Sequence, residues 1–311
     1  MTRVRLLGLV AVAMAAFAGN SLLCRAALDG TRIDAATFTT LRLGAGALAL
    51  WLIVRVRGGH LAHGGSWRSA LALFAYAAGF SFAYVSLPAG TGALLLFGAV
   101  QATMIGHGLW CGERPRPLQV FGLALALAGL IVLLLPGIAA PPLHGALLML
   151  GAGAAWGIYS LRGRGAGDPL RATAGNFLRA LPFALALSAL AVPQFGFDRA
   201  GAACAIASGA LTSGVGYAIW YAALPALKAT QAATVQLSVP VIAALGGAAL
   251  LGERPSVRLL LAAIAILGGI ALVVGERRAP GAWSAGTSVP GTSKRLSHEE
   301  HEGHEESDKP S

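Results

Sequence analysis

Ten apolar runs divide the chain, and they constrain its fold more than any other feature of the sequence. A run of about 20 apolar residues is long enough to cross the ~30 Å hydrocarbon core of a bilayer as a helix. The runs lie at 5–24, 35–54, 69–87, 90–111, 117–135, 143–161, 172–193, 201–222, 230–251 and 257–275. The sequence therefore predicts an all-α membrane protein with ten transmembrane helices.

Composition argues against the main soluble classes. Hydrophobic residues make up 56% of the chain and charged residues only 12%, about half the charge usage of a soluble domain. A net charge of +10 raises the question of nucleic-acid binding. The basic residues, however, form short clusters between apolar runs instead of one stripe with interleaved aromatics. We expect no nucleic-acid partner; the lipid bilayer and a small-molecule metabolite are the expected partners, and a homodimer is compatible with the sequence.

The sequence also argues against an enzyme. It contains no Gly-x-Ser-x-Gly, His-Glu-x-x-His, Gly-x-Gly-x-x-Gly or Gly-x-x-x-x-Gly-Lys pattern, which are the signatures of common hydrolase, zinc and nucleotide sites. No acidic residue lies deep inside a predicted span, which disfavours a carboxylate proton relay or a membrane aspartic protease. The three cysteines fall in apolar runs and do not suggest a disulfide framework. We predict neither a cofactor nor a structural metal ion.

An internal repeat divides the ten runs into two halves. Gly-Glu-Arg-Pro at 112–115 recurs at 252–255, and Tyr-Val-Ser-Leu-Pro-Ala at 84–89 matches Tyr-Ala-Ala-Leu-Pro-Ala at 221–226. Leu41-Arg42 and Leu178-Arg179 share the 137-residue offset of the second match, and 17–21 pairs loosely with 156–160. Ordered matches of this kind indicate duplication. The predicted domains are a first repeat at 1–137, a second at 138–276 and a disordered cytoplasmic tail at 277–311.

An odd number of spans in each half requires the halves to have opposite orientations. If the N-terminus is cytoplasmic, inner loops carry 13 Lys and Arg residues and outer loops carry 5, as the positive-inside rule requires. Both termini are therefore predicted to be cytoplasmic, in the inner membrane of a bacterium. Inverted five-helix repeats are a transporter architecture, because the two halves can exchange roles as outer and inner gate.

These residues resemble a known family. Two five-helix units, each with Gly-Glu-Arg-Pro before its last helix, are similar to the EamA family of the drug/metabolite transporter superfamily over roughly 5–276. The resemblance implies a ten-helix bundle that moves small metabolites, often outward, by alternating access. Relatives handle amino acids, sugars, nucleotide-linked compounds and drugs, so the resemblance does not identify the substrate. Pro240 departs from the symmetry, because the first half has Val100-Gln101 at the corresponding place.

Arg42 and Arg179 are the charges deepest in the predicted spans. A guanidinium at that depth normally faces a cavity, a partner or a nearby interface. One interpretation is snorkelling, or a bond to the end of a neighbouring helix. The other places both near the substrate path, where they favour an anionic or zwitterionic ligand.

His107 lies within the fourth predicted span. It is either a neutral imidazole bonded to a neighbour or a protonatable group that couples transport to the proton gradient. Further polar candidates for the site are Asn20, Tyr84, Gln101, Trp156 and Tyr159. Tyr and Trp near span ends are more often interfacial anchors, and Gln101, Trp156 and Tyr159 are the better site candidates because they lie further inside.

Small residues and prolines mark further features of the spans. Gly153 and Gly157 are one turn apart, which is typical of a close helix-packing face. Pro182 and Pro240 lie inside spans, where each removes a backbone hydrogen bond and can kink the helix. A kink that frees carbonyls near the midplane is a feature of broken-helix transport sites.

The two ends of the chain leave alternatives open. Arg3 and Arg5 precede an apolar run that ends in Ala16-Phe17-Ala18, which also fits a cleaved signal peptide. The second half contains a matching segment, which favours a retained helix. The tail carries three histidines among five glutamates from 298 to 306. It is interpreted as a solvated acidic segment, with a weak divalent-metal tract as the alternative.

The favoured function is a secondary transporter that exports amino acids or related small polar metabolites. A drug or cation exporter is the alternative within transport, although a cationic substrate would favour an intramembrane carboxylate. A membrane scaffold without transport activity is the alternative from another class. Substrate, coupling ion, direction of flux and oligomeric state are not specified by the sequence.

Overall fold

The computed structural model describes residues 2–59, 64–112, 114–137, 140–163, 167–227 and 229–275. All regular structure in these ranges is helical. The helices are α1 Arg3–Gly30, α2 Ala35–Val56, α3 Trp67–Tyr84, α4 Ala89–Trp110, α5 Pro117–Leu134, α6 Leu143–Gly163, α7 Pro169–Leu190, α8 Arg199–Ala207, α9 Gly216–Ala223, α10 Ala229–Gln236, α11 Ser238–Leu250 and α12 Val257–Gly275. Glu113 of the first Gly-Glu-Arg-Pro motif and the tail at 277–311 lie outside the described residues.

Seven helical segments of the described chain are long and apolar enough to cross a membrane. They are α1, α2, α4, α5, α7, α12 and the continuous segment Arg199–Ala226, which contains α8 and α9. Helices α3 and α6 occupy two further predicted spans and are less apolar, and the ninth predicted span is divided between α10 and α11. The all-helical prediction is confirmed, whereas ten spans are not, because three of the predicted runs do not form a long apolar helix.

Two irregularities interrupt the second half. Residues Ser208–Val215, between α8 and α9, form a π-helical segment, a conformation that occurs frequently at functional sites. The ninth predicted span breaks at Leu237, so that Gln236 ends α10 and Pro240 lies in the first turn of α11. Proline has no N–H and its ring clashes with the carbonyl four residues earlier, which here belongs to Gln236. The proline therefore accounts for a one-residue interruption, at which Leu237 keeps a right-handed helical conformation with φ −67° and ψ −15°.

The contacts between helices keep the same pattern when the halves are exchanged. The repeat matches α1 with α6, α2 with α7, α3 with α8–α9, α4 with α10–α11 and α5 with α12. Helix α6 packs on α3 and α4, as α1 packs on α8–α9 and α11; α7 packs on α3, as α2 packs on α8 and the π-helical segment. Matched helices also pack on each other in the pairs α2–α7, α4–α11 and α5–α12. Each half therefore completes its core with helices of the other.

Local features position these helices. Side-chain oxygens cap the N-termini of four helices by accepting backbone N–H groups of the first turn. The caps of α2, α3, α7 and α8 are Asp34, Ser66, Asp168 and Asp198.

The predicted packing face on α6 is confirmed: a Cβ on Gly153 would lie 2.6 Å from Ala99 Cβ. One turn later, a Cβ on Gly157 would lie 2.7 Å from Thr103 Cβ. Helices α4 and α6 can approach this closely only without those side chains.

Helix α1 is an integral part of the bundle. It is continuous over 28 residues and buries Asn20, Cys24 and Ala27 against its neighbours.

Candidate functional site

A cavity of about 460 Å³ lies between residues of the two halves. Its volume is in the range of small-molecule sites. Helices α1, α3 and α4 line it from one half, and α6, α7, the π-helical segment, α9 and α10 from the other. None of the described lining side chains carries a charge, and its polar lining includes Asn20, Gln101, Tyr159, Thr173, Asn176 and Thr212. The cavity therefore offers neutral hydrogen-bonding groups between apolar and aromatic surfaces.

Aromatic rings form one wall of the cavity. Trp156 is stacked with Tyr159 at 5.2 Å and with Tyr217 at 5.4 Å between ring centroids. Tyr76 tilts against Trp156 at 4.8 Å, and Phe80 follows at 5.4 Å from Tyr76. A continuous row of rings is suited to a planar group of a ligand.

Asn20 connects three helical segments beside the cavity. Its Nδ2 donates to the hydroxyl oxygen of Tyr76 at 3.2 Å, and its Oδ1 accepts from Ser208 Oγ at 2.6 Å and Thr212 Oγ1 at 3.4 Å. These bonds join α1 to α3 and to the π-helical segment. The wider π-helical turn thus places Ser208 and Thr212 on the face toward α1.

A second network lies on α7. Tyr159 donates to Thr173 Oγ1 at 3.3 Å, which is also 3.1 Å from the hydroxyl of Tyr221. Asn176 Nδ2 donates to Tyr159, while its Oδ1 accepts the backbone N–H of Ser66 at 2.8 Å. The network connects the cavity wall to the loop between α2 and α3.

The structure brings four predicted site residues together. Asn20, Gln101, Trp156 and Tyr159 all line the cavity. Gln101 is 4% exposed and makes no hydrogen bond within the described part of the chain. Its amide is therefore available to a ligand.

Arg42 lies behind the aromatic wall and does not line the cavity itself. Its side chain is 2% exposed, so it does not snorkel. Its guanidinium carbon lies 5.2 Å from the Tyr76 ring centroid and 4.7 Å from that of Phe80. Nε and Nη1 are buried and have no hydrogen-bond partner within the described chain.

Arg179, the sequence match of Arg42, has a different environment. Its Nη1 donates to the Gly64 carbonyl of the α2–α3 loop and, at 3.1 Å, to the Gly175 carbonyl of its own helix. Arg179 therefore braces a loop against α7, which agrees with the interpretation of an arginine bonded to a neighbouring element.

His107 and Tyr84 also lie outside the cavity lining. His107 is exposed on α4, with Nε2 3.6 Å from Cys111 Sγ. Tyr84 is fully buried at the end of α3 and donates to the Ala89 carbonyl at 3.2 Å. Tyr84 thus fixes the turn into α4 and is not an interfacial anchor.

An ionic cluster closes the bundle near the C-terminal end of α1. Glu253 belongs to the second Gly-Glu-Arg-Pro motif. Its carboxylate accepts hydrogen bonds from Arg25 Nε at 3.2 Å and from the backbone N–H of Ala89 at 2.9 Å. Arg25 Nη1 also donates to the Tyr84 carbonyl at 3.1 Å. We call Arg25, Glu253 and the Tyr84–Ala89 turn the latch. A carboxylate at the N-terminus of α4 is further stabilised by the helix dipole.

The cavity does not extend to the latch. Its lining stops at Ser21 on α1 and begins only at Leu96 on α4. In the other direction it reaches Gly163 and Pro169, on either side of the α6–α7 connection, and Leu224 near the end of α9. The cavity therefore lies toward the end of the bundle opposite the latch.

The latch has a repeat-matched counterpart that is arranged differently. Tyr221 matches Tyr84 at the 137-residue offset, whereas the pairing of 17–21 with 156–160 matches Arg25 with Arg164, which lies outside the described residues. Tyr221 lines the cavity, and its hydroxyl lies 3.1 Å from Thr173 Oγ1. The two matched tyrosines are thus in different environments: Tyr84 is packed in the latch, and Tyr221 borders the cavity.

Two connecting loops hold each other at the latch end. Arg32 N–H donates to Asp198 at 2.6 Å, and Gly196 N–H donates to Asp34 at 3.2 Å. The backbone N–H of Gly201 is the main cause of a lowered pKa at Asp198, with a further contribution from Arg32 N–H. Burial raises the pKa of Asp34, but hydrogen bonds from Thr37, Gly196 and Ala36 outweigh it and leave the pKa low. Both carboxylates are therefore ionised at neutral pH.

Sequence reasoning missed several residues of the cavity. Thr173 and Asn176 lie one turn apart on one face of α7. This spacing was the available signal. Ser213 had none, because a π-helical turn cannot be read from the residue pattern.

Comparison with known proteins places this geometry in context. The model of the EamA-like transporter family matches residues 5–135 and 143–275. An uncharacterized protein of Pseudomonas aeruginosa is 61% identical over 275 residues, covering 88% of this chain and 96% of that protein. A protein of known crystal structure has a TM-score of 0.62 at 21% identity, over 86% of this chain and 98% of the other. The last likeness concerns the fold alone.

Proposed function

Because the chain belongs to the EamA-like transporter family of the drug/metabolite transporter superfamily, we propose that it is a secondary transporter that exports small polar metabolites such as amino acids. The observation that supports this is the cavity of about 460 Å³ with its neutral polar and aromatic lining. Amide and hydroxyl groups fit the hydrogen-bonding atoms of such a metabolite, and the row of rings fits a planar or apolar part.

The proposal includes the topology predicted from the loop charges. The protein is a multi-pass protein of the bacterial inner membrane with both termini in the cytoplasm. In that orientation the latch lies toward the periplasm and the cavity toward the cytoplasm. The arrangement then represents an inward-facing state, ready to receive a substrate from the cell.

Alternating access follows from the repeat. In the inward-facing state Tyr84 is packed in the latch beside Arg25, while its match Tyr221 borders the cavity. In the outward-facing state we expect the turn at Tyr221 to pack shut and the latch to open. Two halves of one ancestral unit can exchange conformations in this way.

A cation or drug exporter is the second candidate. The rings of Tyr76, Trp156, Tyr159 and Tyr217 favour it, since aromatic faces attract cations. Against it stands the charge of Arg42 behind those rings, with no described carboxylate in the cavity lining.

Counterflow in proteoliposomes tests the proposal. Purified protein is reconstituted with an unlabelled compound inside, and entry of the same labelled compound is followed for amino acids, small organic acids and organic cations. We expect accumulation above protein-free liposomes for at least one amino acid or related polar metabolite. Movement of cations alone would support the second candidate, and no counterflow with any class would favour the scaffold.

A further inference from the structure

We propose that Arg42 forms a binding subsite for a negatively charged group of the ligand, behind the aromatic wall of the cavity. The subsite rests on the proposed function and specifies it, since it assigns the substrate to carboxylates and zwitterions. It also separates Arg42 from Arg179, which the sequence treats as a pair.

The first argument is the unpaired state of the guanidinium. Arg42 is among the largest fully buried side chains of the protein, and its Nε and Nη1 have no acceptor within the described chain. Guanidinium stays protonated in proteins and carries five N–H donors. Leaving such donors buried without an acceptor is costly, and an exception of this kind points to a ligand, a water molecule or an ion.

The second argument is the nature of the contacts that Arg42 does make. The faces of Tyr76 and Phe80 lie 5.2 Å and 4.7 Å from its guanidinium carbon. A ring face attracts the positive charge but does not accept the in-plane N–H groups, so the side chain is held in position with its Nε and Nη1 donors unused. Tyr76 and Phe80 also line the cavity. A single layer of rings therefore separates the guanidinium from the ligand space.

The third argument is charge balance. Every carboxylate in the described part of the chain lies in a loop or at a helix end, at Asp29, Asp34, Asp168, Asp198 or Glu253. Arg25, rather than Arg42, forms the ion pair with Glu253. An anionic ligand group would supply the missing counter-charge and could accept two parallel N–H bonds.

Access to Arg42 depends on Tyr76. Its hydroxyl is held by a hydrogen bond from Asn20 at 3.2 Å, and Asn20 itself lines the cavity. A ligand that takes over the amide of Asn20 frees the Tyr76 ring to turn. The carboxylate then reaches Arg42 while the rest of the ligand stays against Trp156.

Arg179 provides the contrast that makes the assignment specific. It has carbonyl acceptors at Gly64 and Gly175 and does not line the cavity. Its removal is expected to weaken the packing of the α2–α3 loop and to leave the charge preference of the cavity unchanged.

The test compares two ligands of nearly equal shape and different charge. Binding of 3-phenylpropionate and 3-phenylpropionamide to purified protein is measured by calorimetry at matched ionic strength, in wild type, Arg42→Gln, Arg42→Lys and Arg179→Gln. We expect wild type to bind the acid at least tenfold more tightly than the amide. The preference should disappear in Arg42→Gln, shrink in Arg42→Lys because the forked donor is lost, and persist in Arg179→Gln.

Equal affinities of wild type for acid and amide would overturn the subsite, as would a preference that survives in Arg42→Gln or an absence of acid binding at millimolar concentration. If Arg42→Gln fails to fold, the acid and amide affinities of wild type and Arg42→Lys still test the subsite. Acid binding without counterflow of any compound would reject transport and keep the subsite. Counterflow of acids and amides at equal rates would support transport and overturn the subsite.

Discussion

At the scale of single residues, the cavity combines polar groups that are already bonded with polar groups that are free. Asn20 and Asn176 each join neighbouring elements through side-chain bonds, so they maintain the shape of the site. Gln101 makes no bond within the described chain, although it is almost fully buried. A polar group that is buried without a partner costs stability. A protein keeps such a group when the group binds a ligand.

This difference gives a prediction for Gln101→Leu. The substitution keeps the size of the side chain and removes an unpaired amide, so thermal stability should be unchanged or higher. Transport should weaken, with KM rising about 2–10-fold if one ligand hydrogen bond worth about 0.5–1.5 kcal/mol is lost.

Met104→Leu is the matched control, because Met104 also lines the cavity from α4 and contributes no amide. Its KM should stay close to wild type. A stable Gln101→Leu variant with wild-type KM would contradict a role of Gln101 in ligand binding.

At the scale of secondary-structure elements, the latch connects α1, the α3–α4 turn and the α11–α12 loop through one carboxylate. The side chains of Arg25 and Glu253 are 14% and 17% exposed, so solvent screens their attraction only in part. Arg25 also pairs with Asp29, whose side chain is 61% exposed. An exposed ion pair of that kind contributes little.

We therefore predict different effects for two substitutions at Arg25's partners. Glu253→Gln removes the charge that holds Arg25 and α4, and should shift the protein toward the state that is open on the latch side. Asp29→Asn should have little effect. The measurement is the rate at which a membrane-impermeant thiol reagent labels Ser21→Cys from outside intact cells, in a chain without native cysteines.

Ser21 lines the cavity and is 1% exposed, so labelling in the parent should be slow. Glu253→Gln should accelerate it severalfold, and Asp29→Asn should not. Equal rates in all three chains would show that the latch does not control access.

At the scale of the whole molecule, the exchange of contacts between halves is the property that suits alternating access. Matched helices form equivalent packings, yet the matched turns at Tyr84 and Tyr221 have different surroundings. Because the framework is symmetric, its two ends can exchange their closed and open arrangements without forming new kinds of contact.

The orientation of this framework gives the last prediction. Because inner loops are expected to carry 13 basic residues and outer loops 5, the region Arg57–Arg68 should be cytoplasmic and Ala139–His144 periplasmic. In a cysteine-free chain, Arg57→Cys should resist labelling from outside intact cells, and His144→Cys should react.

Both positions are exposed in the structure, so a difference between them reports sidedness and not burial. Permeabilised cells provide the control, in which both should react. Labelling of Arg57→Cys but not His144→Cys in intact cells would reject the proposed orientation.

The helical class, the repeat and the family follow from the amino-acid sequence alone, because these depend on the order of apolar runs and on motifs repeated at fixed offsets. The sequence also predicted that Asn20, Gln101, Trp156 and Tyr159 matter, since polar residues inside apolar runs need a reason to be there. These four residues do line one cavity.

Which polar residues line the same cavity depends on the folded arrangement of the helices. Arg42 and Arg179 are equivalent in sequence, yet one meets aromatic rings and the other meets backbone carbonyls. Residues from other helices and from a distant loop supply those neighbours, and no local pattern encodes them. The π-helical segment likewise depends on packing, because it exchanges regular backbone bonds for contacts that exist only in the folded bundle.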